Sequence, residues 1–320
     1  MENAEVLTKV LQSVSFDPGH EPVMPVEILE AFLPLKGRSP LRTFDGTFGR
    51  GGHFKLLMAL FGQDVREAVV MDQDMTAVEH ARRDFQTEVE AGRLKVVHGN
   101  FSEFSEHVQG PFDIMMLDLG VSSPQLDTAD RGFSFYHDGP LDMRMNQQQE
   151  LTAEIILNTA SEDELNNLFR ELGEVRRPFR VTRAVVHDRK TKAFKTTREL
   201  AGLIERVDGW RHKGVHPATQ YFMALRLAVN DELGVLRTTL PAMMAALSPG
   251  GRLAVLTFHS LEDRIVKNIF KQPDVDGRAV HKKVIVPTQE ECKRNSRSRS
   301  AKLRIFQRGV QDEPGHRSSP

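Results

Sequence analysis

Cysteine is nearly absent from this chain, with one residue, Cys292, among 320. A single thiol excludes a disulfide framework within the chain and a cluster of thiolate metal ligands. The twelve histidines show no H-E-x-x-H or other metal-ligand spacing, so no metal is expected. No apolar run approaches membrane-spanning length, which predicts no membrane association. The opening "MENAEVLTKVLQSVSF" has no apolar core of signal-peptide length and is not rich in Arg. A reducing, cytoplasmic setting is the expectation. An excess of charge is also missing: the formal net charge is −1 and the pI is near 6.9. That excludes a globally basic nucleic-acid coat protein but leaves room for a local basic groove, because steering depends on where charges sit. There is no internal repeat.

What is present is a globular composition, 39% hydrophobic and 27% charged, in a chain long enough for one large α/β domain or two smaller ones. Across residues 41–120, "LRTFDGTF", "EAVVMDQD", "LKVVHGNF" and "FDIMMLDLG" read as strands ending in Gly, Asp or Asn. Between them lie helical patterns, such as residues 75–89 with Val78, Ala81, Phe85 and Val89 at helical spacing. Strands alternating with helices predict a parallel sheet covered on both faces, with ligands at the carboxyl ends of its strands.

The rhythm stops over residues 128–215, where no convincing strand is found. Ser161 and Glu164 form a capping box before an apolar stripe of Leu165, Leu168, Phe169 and Leu172, and Gly173 ends that helix. The α/β pattern resumes after His216 with one long helix through Leu247, a "SPGG" turn and the strand "RLAVLTFHS". The expected organisation is therefore one α/β domain, residues 1–127 and 216–320, split by a helical insertion at 128–215. A tandem of two domains is less favoured, because the first half has few strands to close its own sheet.

"DGTFGRGGH", starting at Asp45, lies between the first strand and the first helix of the sheet. Glycines are wanted there when backbone must approach a ligand closely. The dinucleotide fingerprint G-x-G-x-x-G fails, since the third glycine from Gly49 would fall on Phe54, and the phosphate loop G-x-x-x-x-G-K-[ST] is absent. Asp72 ends the second strand, where a carboxylate can accept ribose hydroxyls. Phe101 follows the third strand, where a ring can cover an adenine, and Asp118 ends the fourth. This layout points to a class I S-adenosylmethionine (SAM) site. A nicotinamide oxidoreductase fits the frame but lacks the fingerprint.

The run "DLGVSSPQLDTADRGFSFYHDGPLDMRM" makes the reading specific. With "DGTFGRGGH", "HGNFS", "HPATQYFMALRLAVNDEL", "TFHSLEDRIVK" and "NSRSRSAKLR", in that family's order, it closely resembles the RsmH (MraW) family of bacterial small-subunit ribosomal RNA cytosine-N4 methyltransferases. The resemblance spans residues 20–304. It implies a class I, Rossmann-like α/β methyltransferase domain with an inserted helical domain for substrate recognition. It implies N4-methylation of a cytidine in the decoding region of 16S rRNA, within the assembled small subunit, with a homodimer left open. Carried over residue by residue, the cofactor contacts fall on Gly51, Gly52, His53, Asp72, Phe101, Asp118 and Gln125. The chain departs from the family at Val175, where a second acid is usual after Glu174, and at Gln220, where a basic residue is common.

Cytosine's exocyclic amine is a poor nucleophile because its lone pair is delocalised into the ring. Acceptors around its N–H groups would localise that pair, so Ser123, Pro124 and Asp142 are candidates to frame the base. "SSPQ" resembles only loosely the S-P-P and N-P-P runs of DNA amino-methyltransferases, and Phe133 or Phe135 is expected to supply the stacking ring. Two basic stretches could hold RNA. Residues 176–198 carry nine Lys or Arg, and 293–308 carry seven with no acid. His259 either approaches substrate or caps the helix after it, with Ser260 as the other capping candidate. Trp210 reads as a loop residue packing on the insertion.

Overall fold

The computed structural model describes residues 2–16, 21–209, 216–272 and 276–309, so Trp210 lies outside the described residues. The chain forms two compact units, one of Met1–Gly120 with Gly234–Pro320 and one of Val121–Leu233.

The first unit is built on seven strands: β1 (Leu41–Asp45), β2 (Val65–Asp72), β3 (Leu94–His98), β4 (Phe112–Asp118), β5 (Leu247–Thr257), β6 (Gly277–Ala279) and β7 (Lys302–Arg308). Their order is β3-β2-β1-β4-β5-β7-β6. The first five are parallel, whereas β7 runs antiparallel to both β5 and β6. Strands of a parallel sheet covered on both faces read as continuous apolar runs. Accordingly Ile114, Met115, Met116 and Leu117 of β4 are all fully buried. From β1 the chain winds outward through β2 to β3 and then returns to place β4 on the other side of β1. The carboxyl ends of β1 and β4 thus flank the switch point, where doubly wound sheets bind ligands.

Three expected elements are interrupted. The helix read over 75–89 is two helices, Met75–Asp84 and Gln86–Glu90, with Phe85 leaving helical geometry at φ −122° between them. Its ring packs edge-on to Phe54 at 4.9 Å and to Phe48 at 6.1 Å. The long helix through Leu247 is also two, Ala218–Val229 and Glu232–Ala245. The break holds Asp231 at φ +44° and follows Asn230, whose side chain is bound to backbone elsewhere in the second unit. "SPGG" is not a turn before β5 but an irregularity within it. Leu247 pairs with Phe112 while Arg252 already pairs with Ile114, so the intervening residues bulge, with Gly250 at φ +74°.

In the second unit the described residues contain helices, short turns and one isolated bridge, Pro140 to Thr196, but no strand of the sheet. Its helix Glu162–Glu171 carries the expected capping box: Ser161 N–H donates to Glu164 Oε2 at 2.7 Å and Glu164 N–H to Ser161 Oγ at 3.2 Å. Leu165 and Phe169 are fully buried, with Leu168 and Leu172 packed partly against them. The unit is wider than the span 128–215 read from the sequence. Val121 and Leu126 pack on its core before that span, and Ala218, Tyr221, Phe222 and Leu225 complete the core after it. Val175 is in this core at 7% exposure, which accounts for an apolar residue there, whereas Gln220 is exposed. Among the described residues no helix is long and apolar enough to cross a membrane.

Candidate active site

β1 delivers Asp45 to the switch point, and the chain then has to turn without blocking it. Gly46 donates its N–H to Met116 O at 3.1 Å, which ties the turn to β4. A Cβ on Gly46 would lie 2.7 Å from Leu117 Cδ2 and 3.0 Å from Phe101 Cβ, so only glycine lets these three segments meet. Gly51 takes φ +70°, and a Cβ there would sit 2.5 Å from the Phe48 ring. This left-handed residue turns the loop into the helix Gly52–Phe61.

Three strand-end acids surround the loop. Asp45 is buried, and its Oδ1 accepts the Thr47 N–H at 3.0 Å. Asp72 Oδ2 accepts the Gly49 N–H at 2.8 Å and Oδ1 accepts the Asp74 N–H at 2.9 Å. The Asp118 N–H donates to Thr47 Oγ1 at 2.6 Å, tying the end of β4 to the glycine loop. Loss of water around Asp45, then the neighbouring acids Asp118 and Asp72, pushes its carboxyl up to about 7 against the Thr47 hydrogen bond and His53. Burial also raises Asp72, to about 6, although the amides of Asp74 and Gly49 favour its ionised form.

His53 answers this acidity. Its Nε2 donates to the Val23 carbonyl at 2.8 Å and its Nδ1 lies 3.4 Å from Asp118 Oδ2. Burial opposes a charged imidazole. The Asp118 carboxylate and the Val23 carbonyl outweigh that penalty and hold the ring above its ordinary value. Asp118 Oδ1, in contrast, is buried and has no hydrogen-bond partner among the described residues. A buried acceptor left unmatched is costly unless a ligand supplies the donor.

Gly51, Gly52, His53, Asp72, Phe101 and Asp118 thus gather around one loop of the first unit. Asp45 and Thr47 belong with them too; sequence reasoning passes over both, although "DGT" opens the quoted motif. Ser123, Pro124, Gln125 and Asp142 belong to the second unit. There "SSPQ" is the start of a short helix, Ser123–Asp127, with Ser122 as its N-cap and Ser122 N–H donating to Gln125 Oε1 at 2.9 Å. Asp142 is gripped by Arg144, Nε to Oδ1 and Nη2 to Oδ2, both at 2.8 Å. Burial raises its carboxyl, but the bonds from Arg144 prevail and hold it below the usual range.

The expected stacking rings are placed differently. Phe133 is a core residue at 7% exposure with the Arg131 guanidinium 5.8 Å from its centroid. Phe135 packs on Phe222, His216 and Tyr136, and it is Tyr136, at 72%, that is exposed. His259, and not Ser260, is the N-cap of the helix Ser260–Ile269, accepting the Glu262 N–H at Nδ1. Of the basic stretch 293–308, Arg304 forks onto Asp263 at 2.7 and 3.2 Å, Arg308 binds the carbonyls of Ala245 and Leu247, and Arg294 pairs with Glu21. Much of that stretch therefore ties the first unit together.

The site discriminates between ligand classes. The Asp72 and Asp118 carboxylates at a glycine loop disfavour a pyrophosphate, which argues against a dinucleotide, and they suit a ligand carrying cationic groups and hydroxyls. SAM has both: a sulfonium and an ammonium that acids attract, and ribose hydroxyls that Asp72 can accept. The unmatched Asp118 Oδ1 and the glycine cradle fit that group. Gly51, Gly52, His53, Asp72, Phe101 and Asp118 would hold it. Among the described residues no cluster of three or more His, Cys, Asp or Glu could hold a metal ion.

Comparison with known proteins agrees. Residues 17–309 match the MraW methylase family. Ribosomal RNA small subunit methyltransferase H of Bdellovibrio bacteriovorus is 66% identical over 305 residues, covering 95% of this chain and 92% of that protein. The proteins of the same name from Rhizobium meliloti and Sinorhizobium fredii are 44% and 42% identical, covering 92% and 93% of this chain and 89% of each relative. The doubly wound sheet is thus a class I SAM-dependent methyltransferase domain, and the chain belongs to the MraW methylase family.

Proposed function

We propose that this chain methylates the exocyclic N4 of a cytidine in the decoding region of 16S rRNA, acting in the cytoplasm on assembled small subunits. The names of its relatives support small-subunit rRNA as the substrate. The observation that carries the site is the buried, unmatched Asp118 Oδ1 beside the glycine loop. When bound, SAM supplies an electrophilic methyl group on sulfur. The chain's task is positioning: Asp72 accepts ribose hydroxyls, Phe101 covers the adenine, and Asp118, steadied by His53, receives cationic or N–H groups. Gln125 completes the cofactor contacts in this reading.

Holding amine and methyl at near-attack distance supplies much of the barrier reduction. Ser123, Pro124 and Asp142 frame the base and accept its N–H groups, and Asp142 does so while held by Arg144. A strong general base is unnecessary, because the methylated amine is acidic enough to lose its proton readily. The target must be unstacked, which is easiest in single-stranded or distorted RNA. The helical unit, with the basic stretch at 176–198, recognises the RNA.

The experiment is incubation with labelled SAM and small subunits lacking the modification, followed by mapping of the modified nucleoside by mass spectrometry. Label on N4 of one cytidine supports the reading. Transfer to free DNA or a small molecule, with none to subunits, overturns it.

A further inference from the structure

Outside the glycine-loop site, the first unit carries a second feature that points to a ligand. A cavity of about 150 Å³ lies between the helix Ser260–Ile269, the residue pair that follows it, β7 and the segment after β6. Lys267, Lys271, His281, Lys282, Lys283 and Arg304 line it, and among the described residues no acid does. Its floor is apolar: Phe270, Leu303 and Ile305 are each at most 3% exposed. Asp263, the carboxylate beside Arg304, is already held by that arginine at 2.7 Å and by Lys302 at 3.8 Å. The four lysines thus face a lining that offers them no carboxylate.

The lysine segment is fixed in place. Val280 N–H donates to Ile305 O at 2.8 Å, and Ile285 exchanges both backbone bonds with Leu303, at 3.1 and 2.9 Å. Residues 281–284 therefore bow out between two anchors only two residues apart on β7. Lys267 lies in the last turn of the facing helix and Lys271 two residues past its end. The cavity is well below the roughly 300 Å³ that a small-molecule site needs, so it suits a single anionic group and not a whole nucleotide.

We propose that this pocket grips a single backbone phosphodiester of the RNA substrate, as a docking point separate from the reacting base. The inference rests on the proposed RNA substrate, which favours a phosphodiester over other anions. The sequence points to two stretches for holding RNA, residues 176–198 and 293–308. Of the seven basic residues in 293–308 only Arg304 lines the pocket, and the four lysines that line it come from outside both stretches.

The test compares Lys282→Ala/Lys283→Ala with the unaltered protein for binding to small subunits lacking the modification, across a salt series. Both residues are exposed, and melting temperature and SAM affinity by calorimetry are expected to be unchanged. Affinity for subunits should fall about tenfold near 0.1 M salt, and the slope of log affinity against log salt should flatten by about one, for the one phosphate no longer neutralised. A charge reversal, Lys282→Glu/Lys283→Glu, should weaken binding further. Unchanged affinity and slope in both variants overturn the proposal. So does a loss confined to vesicles of anionic lipid with RNA binding intact. Failure of the function itself reads differently: the unaltered protein would then transfer no methyl group to the subunits.

Discussion

His53 Nδ1 lies 3.4 Å from Asp118 Oδ2, while its Nε2 is committed to the Val23 carbonyl at 2.8 Å. One imidazole thereby fixes one oxygen of a strand-end carboxylate and leaves the other, buried Oδ1, unmatched. The pair connects the first helix of the sheet to the end of β4 and orients the acid toward the glycine loop.

Asp118→Asn keeps the shape but removes the charge that a cationic ligand would meet. SAM affinity should fall about tenfold or more, on the order of 1.4 kcal/mol. Isothermal calorimetry checks this, and an unchanged dissociation constant would count against the assigned role.

Gly51→Ala places a Cβ at φ +70° and 2.5 Å from the Phe48 ring. A strained left-handed residue costs about 1–3 kcal/mol, and the clash adds to it. Gly37, at φ +86° with nothing within 4 Å of a built Cβ, should tolerate alanine better. Paired denaturant titrations measure the difference.

Asp45 has its folded-state carboxyl raised from 3.8 to about 7. A raised acid favours the folded state below pH 4, and that stability is lost as pH climbs from about 4 through about 7. Asn at this position still accepts the Thr47 N–H but cannot ionise. Asp45→Asn should therefore gain stability relative to the unaltered protein between pH 5 and pH 8, on the order of 1–4 kcal/mol, read as a rising difference in melting temperature. His53, Asp118 and Asp72 face the same group, the imidazole favouring its ionised form and the two acids opposing it. A difference in melting temperature that stays flat across this range would contradict the assignment.

Asn230 accepts from Met145 N–H at 2.8 Å and donates to Met143 O at 2.8 Å, all buried. Asn230→Ala strands two backbone groups, each worth about 1–3 kcal/mol. A clear drop in thermal stability is expected, with SAM binding retained. Equal melting curves would show that these bonds do not hold the helix break.

Asp142→Ala should lower turnover on subunits at least tenfold with RNA affinity unchanged, if Asp142 accepts from the base. Because it also releases Arg144, Arg144→Lys serves as the control for structure alone. Full turnover in Asp142→Ala would remove the residue from the reaction.

Patterns set by near neighbours were legible in the sequence. Apolar runs predicted the parallel strands because burial on both faces admits little else. The Ser161–Glu164 box was readable because a cap needs only residues three apart. The family motifs pointed to Asp72, Phe101 and Asp118, and the fold brings them to one loop through strands that are far apart in the chain. Other features depend on partners that local pattern does not encode. Helical spacing continued through Phe85 and Asn230, yet Phe85 turns onto Phe54, and Asn230 bonds to residues 85 and 87 positions away. Asp45 looked like one strand-end acid among several until packing took its water away. Phe133 offered a ring to a base until it proved to be core. The basic stretch at 293–308 read as a surface, but β7 lies inside the sheet and turns its arginines onto Asp263 and backbone carbonyls. Local composition determines which elements form and where they end, because those energies act within a few residues. Which side chains are left unmatched and face a ligand is decided only when distant segments pack, because burial and pairing belong to the assembled chain.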